Sequence, residues 1–398
     1  MKKKILLLGG SHAQIPAIVE AKNRGLYTIL ADYYPDIPGR EYADEFHNVS
    51  TTDLDAILKL AKETCIDLIF AYMSDPAAPT AAYVSEKMEL PGNSFDSVEL
   101  LAKKNKFRKL QKENGFNTPG FNSFTEQEFQ NSDFQNFSFP VIVKPVDSSD
   151  TKGVFYVDNP EDIGSAVRKA LKYSRSGRII IEEFIDSDTA NLHGDAFIKN
   201  GKMVFCMLGD NLFFSDSHPL KPSSEIYPSR KPRNLVQKVE NDVARLIEVS
   251  GFKDGAVNIE ARVNAKGEIY IMEIGPRSGG GDTPQTIYHC VGFDMLKASF
   301  DSLLNQHIDI QLHDFKPTVS FILHSSQSGR LNQIQLNSHI SEFVVEKNIY
   351  LKPGDEVKSF DNPGSNIGVV ILQFNDFDEF DTVSDHLYKN LTQSVYLS

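Results

Sequence analysis

Apolar runs alternate with amphipathic helical patterns through the first hundred residues. The predicted elements are a strand over 5–8, a helix over 14–24, a strand over 27–31, a helix over 54–63, a strand over 67–72 and a helix over 79–88. The first strand, over 5–8, is a continuous apolar run, which is typical of a parallel strand buried on both faces. The pattern therefore predicts a doubly wound α/β domain with a parallel sheet over residues 1–100.

The pattern changes after residue 100, where helices no longer separate every pair of strands. The predicted elements are a lysine-rich helix over 97–114, strands over 139–144, 154–157 and 179–185, a hairpin over 195–198 and 202–208, a polar loop over 211–230, a helix over 235–250, a hairpin over 257–263 and 268–274, and helices over 284–290 and 293–306. From residue 316 onward short strands alternate with turns before a last helix over 377–390. These patterns predict an α+β domain over 101–312 and a small α+β domain over 313–398.

Two glutamates, thirteen positions apart, lie in the second hairpin. If its turn is a two- or four-residue loop, Glu260 faces Ile271. Asn258 then faces Glu273, and both glutamates are diagonal neighbours on one face, whereas a three-residue loop would place them on opposite faces. Neighbouring carboxylates repel each other unless a cation lies between them, and Mg²⁺ prefers oxygen ligands of this kind. The alternative is a surface hairpin with two solvated glutamates.

A segment with few side chains follows Glu273. It runs from 274 to 281, carries one cation, Arg277, and ends in three glycines. The backbone N–H groups of such a segment can approach an anion closely. The segment predicts an anion site beside the two glutamates.

A further anion site is predicted where an apolar strand ends in Lys144. The strand is followed by a loop of small residues over 147–153, which includes Ser148, Ser149 and Gly153. An ammonium group and the N–H groups of a loop can share the charge of a polyphosphate. The lysine and the loop together predict a polyphosphate site.

Composition narrows the classes of partner. The chain has 398 residues, a net charge of −13 and a pI near 5.3, which disfavours a general nucleic-acid or membrane-surface binder. Its three cysteines, Cys65, Cys206 and Cys290, are too far apart for a CxxC motif, and we expect them to be thiols in a reducing cytoplasm. The apolar run after the first lysines is too short for a signal peptide or a membrane span.

Two loops of the first domain are candidate ligand sites. The turn Gly9-Gly10-Ser11 begins a helix and Asp32 ends the second strand, as in a dinucleotide site, but the full GxGxxG pattern is absent and a structural turn is the favoured interpretation. The loop over 73–76 lies at the carboxyl end of a strand, where open α/β sheets bind ligands. A helix N-cap is the alternative for that loop.

Several motifs occur together in one order. They are Asn105-Lys106-Phe107 before Gly115 and Pro119, FPVIVKP over 139–145, EEFI over 182–185, Asn258-Ile259-Glu260, and EIGPR over 273–277. In this order and spacing the chain resembles the ATP-grasp superfamily of carboxylate ligases, in the group of carbamoyl-phosphate synthetase, biotin carboxylase and phosphoribosylglycinamide synthetase. The resemblance extends from the first strand to about residue 310.

The resemblance implies that ATP lies between two α+β subdomains, one of them a lid over about 117–190, together with Mg²⁺ or Mn²⁺. The residues expected to contact ATP are Lys106, Lys144, Ser148, Ser149, Gly153, Glu182, Glu183, Ile185, Asp195 and Lys221, the last being otherwise a loop lysine. Within this set, Glu182 and the backbone of Glu183 and Ile185 are implied to meet adenine. Glu260 and Glu273 are implied metal ligands. Lys144 and Arg277 are the implied catalytic residues, with Arg277 on an acyl phosphate.

Three features depart from the pattern of the family. Gly275 lies where many members have an asparagine ligand, so that Asn258 or water would replace it. Asn191 lies where a ribose-binding glutamate is usual, which leaves Asp195 or another group for that role. The lid loop reads DSSDTKG instead of being rich in glycine, which predicts a stiffer lid.

The implied activity is an ATP- and Mg²⁺-dependent ligase that converts a substrate carboxylate into an acyl phosphate for capture by an amine. Two alternatives stay open: a bicarbonate-activating, carboxylase-type enzyme, and a nucleotide-binding protein whose catalysis has decayed. No residue identifies itself as a general base, although His218 and His289 are candidates. The expected partners are small carboxylates and amines, with neither nucleic acid nor a membrane, and a homodimer is usual in the family.

Overall fold

The computed structural model describes residues 2–130, 137–149, 151–186, 191–213, 222–360, 365–392 and 394–397. Two of the predicted candidates, His218 and Lys221, lie outside the described residues. In the described part of the chain no helix combines the length and the apolar character that crossing a membrane requires.

The first part of the chain forms a parallel sheet with helices on both faces. Its elements are β1 (Lys4–Leu8), α1 (Ile15–Asn23), β2 (Tyr27–Asp32), β3 (Glu45–Asn48), α2 (Leu54–Thr64), β4 (Leu68–Phe70) and α3 (Ala78–Met88). The strand order is β3-β2-β1-β4. Ile5 and Leu7 pack toward α1, while Leu6 and Leu8 pack toward α2 and α3, which is why β1 is apolar throughout. The predicted doubly wound sheet is confirmed, whereas β3 is half-buried and has no comparable apolar signal.

The lysine-rich stretch predicted as one helix is two helices. They are α4 (Phe95–Ala102) and α5 (Lys104–Glu113). Lys103 between them has extended backbone angles, φ −96° and ψ 111°, so the axis of the chain changes at this residue. The prediction of a single helix over 97–114 is therefore wrong.

A four-stranded antiparallel sheet follows, in the order β5-β8-β6-β7. Its elements are β5 (Phe121–Thr125), α6 (Glu126–Gln130), β6 (Val141–Pro145), β7 (Phe155–Val157), α7 (Ile163–Leu171) and β8 (Arg178–Glu183). The helix α7 buries Ile163 and Val167 against Val143 and Ile181 of this sheet. This unit lies within the range predicted for a lid.

The next segment builds most of a large antiparallel sheet. Its elements are β9 (Asn191–Lys199), β10 (Lys202–Phe213), β11 (Pro222–Tyr227), α8 (Arg233–Ser250), β12 (Gly255–Val263), β13 (Ile269–Gly275), α9 (Thr283–Val291) and α10 (Met295–Leu303). One face, which includes Val257 and Ile259, packs on α8 and on the helices α3 to α5. The predicted polar loop over 211–230 is wrong in the described residues, because β10 continues to Phe213 and β11 begins at Pro222.

The last part of the chain extends the same sheet. Its elements are β14 (Thr318–Leu323), β15 (Gly329–Ile334), α11 (Ser338–Ser341), β16 (Val344–Ile349), β17 (Glu356–Val357), β18 (Gly368–Gln373), α12 (Phe377–Thr392) and β19 (Val395–Leu397). The large sheet has the order β13-β12-β9-β10-β11-β14-β18-β16, and β17, β15 and β19 form a small sheet beside it. The large sheet therefore includes strands from both sides of the predicted boundary at 313, because β14 pairs with β11. The domain limits stay predictions.

Candidate active site

The glutamates Glu260 and Glu273 lie directly opposite each other on β12 and β13. The predicted pairing of Glu260 with Ile271 is wrong, because the loop over 264–268 has five residues. Such a loop by itself would put the two glutamates on opposite faces, but a β-bulge that skips Met272 restores the shared face. The predicted common face is therefore present, with the carboxylates closer than diagonal neighbours.

This pair has the electrostatics of a cation site. The carboxylate of Glu260 is open to solvent, yet the protein atoms packed around it and the charge of Glu273 raise its pKa. Among the described residues, no group of three or more histidine, cysteine, aspartate or glutamate side chains could hold a metal ion. Two facing carboxylates fit Mg²⁺ or Mn²⁺, because Mg²⁺ binds one or two carboxylates and completes its shell with water and substrate phosphates. The donor set suits a metal that arrives with a nucleotide.

A lysine of α5 reaches this pair, and it is Lys104. Its Nζ lies 3.2 Å from Oε2 of Glu273 and donates to the carbonyl of Ser148 at 3.1 Å. Burial disfavours the charged amine, but Glu273 and Asp75 outweigh it and raise the pKa of Lys104. The predicted Lys106 instead points to solvent and pairs with Glu99. The structure therefore brings Lys104 to the site and leaves Lys106 outside it.

The predicted Lys144 lies at the centre of a buried charge cluster. Its Nζ is 2.7 Å from Oε2 of Glu182, and Nε of Arg108 is 2.8 Å from Oε1 of the same carboxylate. Burial opposes ionisation of Glu182, but Arg108 and Lys144 lower its pKa to about 2. Burial lowers the pKa of Lys144, and although Glu182 raises it, the charges of Arg108 and Lys104 keep it below its usual range. Two cations thus contact one fully buried carboxylate, and the charge of Lys104 acts on Lys144 from nearby, so the cluster carries an excess of positive charge suited to a polyphosphate.

Glu182 does not lie where the adenine role places it. Its side chain is 1% exposed and both oxygens face cations. Arg108 also donates to the carbonyl of Met272 at 2.8 Å. Through Arg108, Glu182 of the four-stranded sheet is therefore linked to β13. In this structure Glu182 binds Arg108 and Lys144 with both carboxylate oxygens, and its side chain is buried.

The backbone predicted to meet adenine leaves β8 as a hinge between the two sheets. The carbonyl of Ile185 accepts a 2.8 Å hydrogen bond from Nη1 of Arg262 on β12, and the same guanidinium lies 4.9 Å from the ring centre of Phe184. The side chain of Glu183 accepts from the N–H of Gly120 at 3.0 Å. Glu183 and Ile185 therefore lie where the four-stranded sheet meets the large sheet, and their contact with adenine stays a prediction.

The small-residue loop is next to the charge cluster, since Lys104 donates to the carbonyl of Ser148 in this loop. Oγ of Ser148 donates to the carbonyl of Lys152 at 2.8 Å, and buried Asp147 accepts from the N–H of Ser176 at 2.9 Å. Gly153 has φ +77°, and a Cβ there would lie 2.8 Å from Tyr173, so no larger residue fits. Ser149 lies in the same loop, and residue 150 is outside the described residues. The loop is held at both ends, consistent with a stiff lid.

The predicted ribose ligand Asp195 is not accessible to a ligand. It is fully buried, its oxygens accept from the N–H of Gly279 at 3.0 and 2.9 Å, and Nδ2 of Asn258 donates to it at 2.8 Å. Burial raises the pKa of Asp195 to about 6 against these hydrogen bonds. Asn258 pairs with Gly275 rather than with Glu273, contrary to the predicted register. Asp195 therefore binds the backbone of the glycine-rich segment at Gly279, and Asn258 holds Asp195 in place.

A buried histidine–carboxylate pair beside Glu260 is absent from the sequence prediction. His193 on β9 pairs with Glu260 across the sheet, and its Nδ1 lies 3.1 Å from Oε1 of Glu225. Burial opposes protonation of His193, but Glu225 outweighs it and raises the pKa to about 9. Oε2 of Glu225 also accepts from Tyr227 at 3.0 Å and from Thr283 at 2.9 Å. Glu225 and Tyr227 come from β11, which the polar sequence did not mark as a strand.

The predicted catalytic Arg277 extends toward the first domain. Its Nε donates to Oδ1 of Asp75 at 2.7 Å, its Nη2 to Oδ2 at 2.5 Å and its Nη1 to the carbonyl of Ser278 at 2.9 Å. The loop over 73–76 therefore reaches the glycine-rich segment. The other base candidate, His289, pairs with Glu346 of β16 at 2.8 Å.

A helical repeat could have identified two of the missed residues. Lys104, Arg108 and Gln111 are spaced i, i+4 and i+7, which places them on one face of α5. Arg108 and Gln111 are fully buried, and Gln111 donates to the carbonyl of Ile271 at 2.8 Å. Polar residues at this spacing indicate a polar helix face, and two of them, Lys104 and Arg108, are cations that the sequence prediction did not assign to the site.

Comparisons with known proteins show similarity to an ATP-grasp domain. A model of the ATP-grasp domain matches residues 137–285. The carbamoyl phosphate synthase large chain of Thermotoga petrophila is 23% identical over 331 residues, which is 79% of this chain and 30% of that protein. This chain thus spans less than a third of the length of that relative.

Solved structures match over nearly the whole chain. The L-amino acid ligase from Bacillus licheniformis has a TM-score of 0.80 and 19% identity, covering 100% of this chain and 98% of that one. The biotin carboxylase domain of Hydrogenobacter thermophilus 2-oxoglutarate carboxylase, solved with MgADP, ADP and bicarbonate, has a TM-score of 0.78 and 16% identity, covering 100% and 91%. The predicted fold class is confirmed.

Proposed function

From the premise that this chain carries an ATP-grasp domain and fold, we propose that it is an ATP- and Mg²⁺-dependent ligase. It activates a substrate carboxylate as an acyl phosphate, which an amine then attacks. The observation that carries the proposal is the facing pair Glu260 and Glu273, with Lys104 and Lys144 beside it. Likeness to an L-amino acid ligase supports the amine as the second substrate.

The reaction solves a leaving-group problem. A carboxylate at neutral pH is a poor electrophile because an oxide or hydroxide would have to leave. An oxygen of the substrate carboxylate attacks the γ-phosphorus of ATP, the bond to the β-phosphate oxygen breaks, and ADP departs. The amine nitrogen then attacks the acyl carbon and loses a proton, the carbon–oxygen bond to phosphate breaks, and the products are an amide and inorganic phosphate. Catalysis of such transfers is mostly positioning and charge stabilisation.

We assign the acidic residues of the site to the metal ion and the basic residues to the phosphates. Glu260 and Glu273 would hold Mg²⁺, and the bound ion would supply positive charge to the phosphate oxygens. Lys104 and Lys144 donate charged hydrogen bonds to the phosphates, and Arg277 stabilises the oxyanion of the acyl phosphate. Lys104 takes the role that the motif assigned to Lys106.

The other residues that the motifs assigned to ATP receive roles that agree with their contacts in the structure. The loop carrying Ser148, Ser149 and Gly153 covers the phosphates, and the backbone of Glu183 and Ile185 meets adenine. Glu182 orients Lys144, and Asp195 supports the glycine-rich segment. The ribose contact falls to a residue that neither Asp195 nor Asn191 identifies.

A bicarbonate-activating enzyme is the second candidate. The likeness to a biotin carboxylase domain solved with bicarbonate favours it, and bicarbonate requires the same phosphorylation before capture. The two candidates differ only in the acid that occupies the site beside Arg277.

The test is ADP release by the purified protein with MgATP, screened against amino acids, small peptides and bicarbonate. Stimulation by an amino acid or peptide, with an amide product of the expected mass, supports the amine ligase. Stimulation by bicarbonate alone supports the second candidate. Nucleotide binding with no stimulation by any of these acids would contradict both and indicate decayed catalysis.

Organisation and setting complete the proposal. The ATP-grasp region spans 101–312 between domains over 1–100 and 313–398, its substrates are small molecules, and it works as a cytoplasmic homodimer. Size-exclusion chromatography with light scattering tests the dimer.

A further inference from the structure

Arg277 is held by one edge of its guanidinium. Asp75 accepts from Nε and Nη2, and the carbonyl of Ser278 accepts from Nη1. An arginine has five N–H donors, so two remain, one on each Nη nitrogen. Among the described residues, no other hydrogen bond from Arg277 is present. The pair is largely buried, with 12% of the Arg277 side chain and 20% of Asp75 exposed.

Asp75 reaches this position through an unusual turn. After β4 the backbone of Met73 adopts φ +51°, a left-handed conformation that costs about 1 kcal/mol or more for a residue other than glycine. The N–H groups of Ala77 and Ala78 close the start of α3 onto the carbonyl of Ser74. No side chain that the structure describes caps the start of α3, and the Asp75 side chain is directed across to Arg277, so a side-chain N-cap is not formed here while the ligand site at this loop stays a prediction.

The chain leaves space for the pair beside the metal site. A Cβ on Gly275 would lie 3.0 Å from Oδ1 of Asp75 and 3.4 Å from Cζ of Arg277. Gly275 is two residues after Glu273 and pairs with Asn258. The volume that a side chain would fill at this position is occupied by the ion pair, which links the absent side chain to the presence of Asp75.

We propose that Asp75 is a positioning residue for Arg277. It holds the guanidinium by Nε and Nη2 and so fixes the orientation in which the remaining N–H groups of Nη1 and Nη2 donate to an oxyanion. The oxyanion is a carboxylate or the phosphate that becomes attached to it. The proposal rests on the proposed function for the identity of the reaction, and it makes the first domain a necessary part of the active site.

The first arm of the test measures ADP release with the carboxylate that stimulates the wild-type protein. Asp75→Asn keeps the size of the side chain and removes its charge, and we expect the KM for the carboxylate to rise at least tenfold. The KM for ATP should change less than twofold, and Asp75→Glu should recover part of the loss. The control is Glu63→Gln, which removes an exposed carboxylate paired with Lys59 at 3.8 Å in the same domain.

A double-mutant cycle separates positioning from general stability. In an Arg277→Ala background, Asp75→Asn should cause less than a twofold further change, because the residue it positions is already absent. Losses that multiply in the double variant, or an unchanged KM for the carboxylate in Asp75→Asn, would overturn the proposal.

The second arm does not depend on a known carboxylate. Inorganic phosphate is titrated calorimetrically into the protein saturated with MgADP, and we expect at least tenfold weaker binding in Asp75→Asn and in Gly275→Ala. Gly164→Ala on α7 is the matched control, because an added Cβ there meets only Arg168 Nη1 at 3.5 Å. Absence of phosphate binding in the wild type, or equal affinity in all variants, refutes the positioning role. If no acid stimulates ADP release but phosphate binding falls as expected, the ligase proposal fails and the positioning role stands.

Discussion

Exchange of Lys104 for methionine tests which lysine of α5 contacts the nucleotide. The structure places the Nζ of Lys104 3.2 Å from Glu273 with 12% of the side chain exposed, whereas the Lys106 side chain is 47% exposed and pairs with Glu99. A hydrogen bond to a charged group contributes about 1.5–3 kcal/mol. Its loss weakens nucleotide binding about 10- to 100-fold, since 1.4 kcal/mol corresponds to a factor of ten.

The matched variant is Lys106→Met, which removes the same charge two residues away. An exposed ion pair contributes about 0–1 kcal/mol, so we expect its affinity for the nucleotide to change less than twofold. Calorimetric titration of a non-hydrolysable ATP analogue at saturating Mg²⁺ measures both variants, and circular dichroism confirms that each is folded. A larger loss in Lys106→Met than in Lys104→Met would refute the placement of α5 and of its break at Lys103.

Three further outcomes are expected. Lys144→Ala should weaken the ATP analogue at least tenfold, and unchanged affinity would count against the buried phosphate site. Arg277→Ala should lower the rate of ADP release far more than ATP affinity, whereas equal losses would place Arg277 in nucleotide binding. Burial lowers the pKa of His324 to about 4, so its stabilising contribution is present above pH 6.5 and is lost as the pH falls toward 4, by about 3 kcal/mol. His324→Gln should remove that part of the pH dependence of unfolding by urea, with exposed His307→Gln as control, and parallel curves for wild type and His324→Gln would contradict it.

Alternation along the hairpin predicts a shared face for Glu260 and Glu273 only if the loop has two or four residues, and in the structure the shared face arises from a five-residue loop combined with a bulge. The register was not predictable, because a five-residue loop and a one-residue bulge act in opposite directions and neither leaves a signal in the hydrophobic pattern. The local sequence therefore predicts the chemistry of the pair, and only the folded sheet shows that the carboxylates face each other directly.

Two other parts of the site depend on contacts that the sequence does not reveal. The break at Lys103 turns Lys104 into the cleft, although the stretch reads as one continuous helix. β11 carries the buried polar residues Ser224 and Glu225, so it has the composition of a loop, and its partner His193 is far away in the chain. The Asp75–Arg277 contact likewise joins residues 202 positions apart. Long-range polar pairs of this kind are specified by tertiary structure and not by periodicity.

A crystal structure with Mg²⁺ and a non-hydrolysable ATP analogue tests the central claim most directly. We expect a metal ion about 2.0–2.1 Å from a carboxylate oxygen of both Glu260 and Glu273, with nucleotide phosphate oxygens in the same coordination shell. A bound nucleotide whose metal lies elsewhere, with the two carboxylates pointing apart or surrounded only by solvent, would contradict it.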